Sequence, residues 1–193
     1  MPTFDLDKAD RDFYLIYGRT MAAWSDLEGA LGAILVRTAN LAPDVAMAIY
    51  YSARSFQGRA EMILACIPFA KTIPAGKTFL TGVVNRASAY SGARNTFAHD
   101  RHMLMLDIDA SRVDRLISSP KGSTVGLEEI QRAGVNFAYL AMLLGLSLGH
   151  TRLLREPELS LELLALMPLD PVSTAVDLIR ANEIALEIGR APN

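Results

Sequence analysis

The chain has 193 residues, 51% of them hydrophobic and 21% charged, so it is long enough to bury a core and too apolar for a disordered protein. Its net charge of −2 excludes a protein that coats nucleic acid by bulk positive charge, and its one cysteine, Cys66, excludes an internal disulfide framework or a cysteine-based zinc cluster. Mean hydropathy is +0.21, an apolar excess that points to a surface covered by a partner.

Residues 1–12 are too acidic and polar for a secretory signal, so a cytoplasmic location is expected. Phe13, Ile16, Tyr17, Thr20, Trp24, Leu27, Leu31, Ile34 and Leu35 recur at three- and four-residue intervals, which predicts a helix over about 9–39. Asp44 after Pro43 is positioned to start a second helix reaching about Ile67. Pro68 and Pro74 bracket a connection, and a third helix is expected from about Lys77 through Tyr90. Met103–Ile108 and Arg112–Ile117 are short apolar runs ahead of the turn cluster Pro120-Lys121-Gly122-Ser123, which suggests a small β-hairpin or irregular excursion within about 102–124. Helix resumes near Gly126 and is expected to run to about Arg155. Its 17-residue uncharged stretch, Ala133–Gly149, is just short of a membrane span and suits a buried helix. A last helix is expected over about Val172–Ile188, with Val176, Ile179, Glu183 and Leu186 on one face. The fold class is therefore all-α: an antiparallel bundle of four to five helices, spanning 1–193 as one domain with a core of about 10–155 and a C-terminal helical extension of about 156–193.

Charge is unevenly spread. Residues 51–101 hold Arg54, Arg59, Lys71, Lys77, Arg86, Arg94 and Arg101 against Glu61 and Asp100, a net +5 in an otherwise acidic chain. Solvated helix faces explain such a run, and so does a local anion site. The most informative stretch within it is Arg94-Asn95-Thr96-Phe97-Ala98-His99-Asp100. On a helix Asn95 and His99 share a face, while Arg94 lies about 140° from His99 at roughly 100° per residue. Histidine titrates near neutral pH and can exchange a proton with a ribose hydroxyl or leaving oxygen, and arginine can bind phosphate oxygens bidentately. That chemistry is RNA cleavage without a metal. On spacing alone, helix capping or a surface role accounts for the same residues.

Arg94-Asn95-x-x-x-His99 resembles the Arg-Asn-x-x-x-His form of the Arg-x(4–6)-His signature of the HEPN superfamily, and Trp24-x-x-Leu27-Glu28-x-x-Leu31 in the first helix is similar in position. The resemblance implies a four- or five-helix fold, commonly a homodimer whose two motifs face each other, and a metal-independent ribonuclease of the toxin or antiviral-defence kind, or an inactive binding module. It makes Arg94 and His99 the catalytic pair, Asn95 their polar support and Glu28 a polar residue facing the motif. Arg54, Arg59, Arg101 and His102 are the expected substrate-binding residues. RNA is the expected substrate, and an antitoxin or other protein a further partner. No cofactor and no metal are expected: His99-x-x-His102 with Asp100, Asp107 and Asp109 fits no standard ligand set.

Other candidates have plainer readings. Gly76-Lys77-Thr78 lacks the earlier glycine and the strand of a phosphate-binding loop. Cys66 sits among Ile63, Leu64, Ile67 and Phe69, as a buried inert thiol would. His150 reads as a helix-end residue.

Overall fold

The computed structural model describes residues 5–107, 112–120, 122–149, 157–181 and 183–184. His150 and Asp109 lie outside the described residues, as do Leu186 and Ile188 at the end of the expected last helix. The fold is mostly helical, with a small antiparallel sheet. Helix α1 spans Leu6–Ala39; the Asp5 carboxylate accepts from Lys8 N at 2.9 Å to cap its start, and Asn40, at φ 55°, ends it in the left-handed conformation. Its stripe of Phe13, Trp24, Leu27, Leu31, Ile34 and Leu35 is buried, as the periodicity predicts.

The second expected helix is two: α2 over Pro43–Ser52 and α3 over Phe56–Cys66. Ala53 leaves the helical region at ψ 125°, and Ser55 restarts it from an extended conformation, its hydroxyl accepting from Gly58 N at 3.1 Å. A single 3-10 turn, Ile67–Phe69, leads to α4 over Pro74–His99, which starts with proline at its first position, where the missing N–H costs nothing.

The expected hairpin is present. Strand β1, Arg101–Asp107, pairs antiparallel with β2, Arg112–Ser118, and β2 with the short β3, Thr124–Val125, in the order β1-β2-β3. The turn between β2 and β3 closes through Ser119 N to Ser123 O and Gly122 N to Ser119 O, both 2.9 Å, and Gly122 takes a φ of +83° that a side chain would strain.

Helix α5, Leu127–Gly149, carries the uncharged run and packs along α1. The two are parallel, since Thr20 Oγ1 donates to Ile130 O near the start of α5 at 3.0 Å while Arg37 donates to Ser147 O and Leu148 O at its far end, at 3.1 and 2.8 Å. They approach closely at Gly134, where a Cβ would sit 2.5 Å from Thr20 Oγ1 and 3.3 Å from Thr20 Cα. Helix α4 runs the opposite way: its first turns lie beside Ile34 and Thr38 of α1, and the strand that follows it lies beside Phe13 and Tyr17. Trp24, Tyr90 and Phe97 gather around Phe137 of α5 with ring centroids 5.1, 6.0 and 6.5 Å away, forming the centre of the core. Among the described residues no helix is long and apolar enough to cross a membrane.

Helix α6, Pro157–Ala165, buries Leu163 and Leu164 and seats on α4 at Gly82, where an added Cβ would meet Leu164 Cδ2 at 2.5 Å. The chain from 166 to 177 is then strapped down by side chains. Arg86 donates to Met167 O and to Pro168 O (2.6 Å), and Tyr90 Oη donates to Pro168 O at 2.7 Å. Asn136, fully buried on α5, donates to Pro171 O (3.0 Å) and Thr174 O (2.8 Å) and accepts from Val176 N (2.8 Å). This corrects the expected last helix. Residues 172–177 are not helical, because Asn136 claims their backbone groups, and helix begins after Asp177, whose carboxylate accepts from Ile179 N and Arg180 N at 3.0 and 3.1 Å. The expected face dissolves accordingly: Val176, Ala181 and Ile184 are buried, whereas Ile179 is 77% exposed.

Candidate functional site

The buried stripe of α4, from Phe79 through Val83, Ala87 and Tyr90 to Phe97, turns the helix so that Asn95 and His99 face solvent in its last two turns. They lie one turn apart, about 6 Å along the axis at 1.5 Å per residue. Phe97 is fully buried and fixes the rotation of this end. Arg94 is half-buried, and its Nη1 donates to Asn95 Oδ1 at 3.2 Å, which draws the guanidinium from its own side of the helix toward the Asn95–His99 face. Arg94 Nε is buried and without a hydrogen-bond partner among the described residues. Asp100 N donates to Thr96 O at 3.0 Å and ends the helix, and β1 begins at the next residue, the exposed Arg101. Among the described residues, no hydrogen bond or ion pair engages the His99 imidazole.

The structure brings Arg94 and Asn95 into contact and leaves His99 open beside them; most of the other expected site residues are engaged elsewhere. Glu28 does not face the motif. Its carboxylate takes Arg59 Nη1 at 2.8 Å, both side chains being about one-fifth exposed (21% and 19%). Arg59 also donates to Ala53 O at 3.3 Å, and its guanidinium lies 5.4 Å from the ring centroids of both Tyr50 and Tyr51. Tyr50 Oη donates to Glu28 O at 3.0 Å. Arg59 thereby joins α1, α2 and α3. His102 is turned into the fold, its ring 5.3, 6.2 and 5.1 Å from those of Phe13, Tyr14 and Tyr17 on α1. Arg54 is exposed in the turn before α3.

The positive segment is thus partly used up internally. Besides Arg59, Lys77 caps Pro68 O at 2.5 Å, and Arg86 holds the carbonyls of residues 167 and 168. Arg54, Lys71 and Arg101 are exposed, and Arg94 is half-exposed.

Two interactions escape the sequence. Arg115 of β2 forms a bidentate pair with Asp10 of α1 (Nη2 to Oδ2 2.9 Å) and lies over the Tyr14 ring, tying the hairpin to the bundle. Its hydrogen bond holds the Asp10 carboxyl below the usual range. Asn136 is the other, and its one signal is a lone amide inside an uncharged helical run. A groove of about 720 Å³ lies between the start of α1, the hairpin and the start of α5; its lining holds five carboxylates against three cations, a poor bed for phosphates. Among the described residues, no three His, Cys, Asp or Glu side chains cluster as metal donors. No family model matches the chain, and no curated protein and no solved structure matches it either.

Proposed function

We propose that the chain is a metal-independent endoribonuclease of HEPN type, acting through Arg94, Asn95 and His99. The observation that carries this reading is the solvent-open Asn95–His99 face at the end of α4, with the Arg94 guanidinium drawn to it and Arg101 following. His99 removes the proton of a ribose 2′-hydroxyl, whose oxygen attacks the adjacent phosphorus. The bond to the 5′-oxygen breaks, and the imidazolium returns a proton to that leaving oxygen. Arg94 stabilises the charge on the non-bridging oxygens, and Asn95 orients the guanidinium. The products are a 2′,3′-cyclic phosphate and a 5′-hydroxyl. The reading includes a homodimer, a cytoplasmic location and a protein partner, such as an antitoxin, that masks the His99 face.

A non-catalytic dimeric module acting through a protein partner is the second reading. It is favoured by the engagement of Arg59, Lys77 and Arg86 inside the fold, which leaves few cations for RNA. The parent and His99→Ala chains, matched for folding, are compared on structured and single-stranded RNAs with chelator present. The enzyme reading expects cleavage ending in cyclic phosphate, reduced about 10²–10⁴-fold in the variant. Equal and negligible turnover by both chains refutes it in favour of the module.

A further inference from the structure

Among the described residues, strand β1 is the outer strand of the sheet, with β2 on one side of it. Edge strands are ordinarily blunted by proline, lysine, a bulge or a covering segment, because their unpaired backbone groups are a template for another strand. Arg101–Asp107 has no proline and no lysine, and it pairs with β2 residue for residue without a bulge. Its four central residues are large and apolar, and all are about half exposed: Met103 48%, Leu104 45%, Met105 47% and Leu106 55%.

The order of residues along the strand indicates what covers it. In an antiparallel pairing of two copies centred on Leu104, Leu104 meets Leu104 of the second copy and Met103 meets Met105. His102 meets Leu106, and Arg101 meets Asp107. Apolar residues are matched through the middle, and each end carries a cation opposite a carboxylate. The register holds whichever alternate set of backbone groups points outward, since residues an even number apart are paired in either case. Asp107 stands across from Arg112 in the β1–β2 register, and the second copy's Arg101 comes from the other side.

We infer that the β1 edge is a self-association surface on which a second copy of this chain adds antiparallel about Leu104, joining two three-stranded sheets into one of six strands. At about 3.3 Å per residue the two Arg101 Cα atoms lie roughly 20 Å apart, and each follows its own motif by two residues. This interface is therefore distinct from one in which two Arg-Asn-x-x-x-His motifs face each other, and it stands or falls independently of RNA cleavage.

The test is the mass of the full-length chain in solution across its soluble concentration range, by sedimentation, with each variant checked for parental helicity and melting. The parent is expected to dimerise with concentration. Leu104→Lys, which sets two ammonium groups together at the axis, is expected to lose the dimer. Arg101→Glu and Asp107→Lys each oppose like charges at both ends of their own homodimer and are expected to be monomeric. Mixed in equal amounts they pair glutamate with lysine at one end and keep the native pair at the other, so the dimer returns as a heterodimer. A parent that stays monomeric throughout overturns the inference and leaves the edge to another polypeptide. An assembly whose mass and concentration dependence are unchanged by Leu104→Lys overturns it in favour of a different face. Failure of the two folded charge variants to associate when mixed overturns the register.

Discussion

Replacing Asn136 tests how the C-terminal strap is held. Its side chain completes three hydrogen bonds to backbone groups of Pro171, Thr174 and Val176, all in a fully buried position. Asn136→Ala leaves two carbonyls and one N–H without their partner. At about 1 kcal/mol per orphaned group, the low end of the usual range, the loss is about 3 kcal/mol, or about 6–12 °C in Tm for a chain of this size. Asn136→Asp is the sharper probe, because it keeps the shape and the acceptor for Val176 N–H but turns the double donor into an acceptor facing two carbonyls. Burial beside those dipoles raises the folded-state pKa of the new carboxyl above its unfolded value of about 4. A raised acid pKa contributes stability below the unfolded pKa and loses it as pH rises through the folded one. The Asp variant should therefore melt nearest to the parent around pH 4 and fall progressively further below it toward pH 8, while the Ala variant keeps a constant offset. Thermal unfolding across pH measures both, and hydrogen exchange at Val176 N–H reports whether the strap itself releases. An Asp variant whose offset from the parent does not change with pH would refute this account of Asn136.

Gly134→Ala should lower stability by about 1–2 kcal/mol, despite alanine's better helix propensity, because its Cβ meets Thr20 Oγ1 and Cα; adding Thr20→Ala should recover part of the loss, measured by urea unfolding. Glu28→Gln and Arg59→Gln should each lower Tm by a few degrees, about 1 kcal/mol, with a double variant less destabilised than the sum; under the enzyme reading, RNA cleavage should persist in both folded variants, since the pair belongs to the α1–α2–α3 junction. Burial pushes the Tyr90 and Tyr139 hydroxyls up to about 12 and raises that of Tyr50 as well. Stability from these phenols is present below pH of about 10 and is lost as pH rises toward the folded values, so their phenolate absorbance should emerge together with loss of helicity.

Where a periodic pattern was long, the sequence was sufficient to read the structure: α1 and α5 carry enough apolar positions to set one buried face, and the paired apolar runs after His99 do form a hairpin. The break at Ala53–Ser55 was hidden because apolar residues lie on both sides of it and no proline or glycine stands within it. Only Ser55, a good N-cap, marks it. The last helix was misplaced for a different reason. Val176 and Ile179 are three apart, but the backbone of 172–177 is taken by Asn136, a residue some 40 positions earlier that periodicity does not see. The same limit governed the site. Asn95 and His99 share an exposed face because helix geometry makes them do so, a local property. Arg59 and His102 looked like free ligands because their partners, Glu28 and the Phe13, Tyr14 and Tyr17 rings, come from a distant helix.

Asp100, at φ −83° and ψ 164°, is the whole connection between α4 and β1. A tether of one residue has no compliance: a change in the tilt of the strand is delivered to the last helical turn rather than taken up by slack. At its other side the strand rests, through His102, on the three aromatic rings of α1, which serve as a fulcrum. The place of the imidazole relative to the strand is therefore fixed by the backbone angles of one residue and by the packing of another, His102.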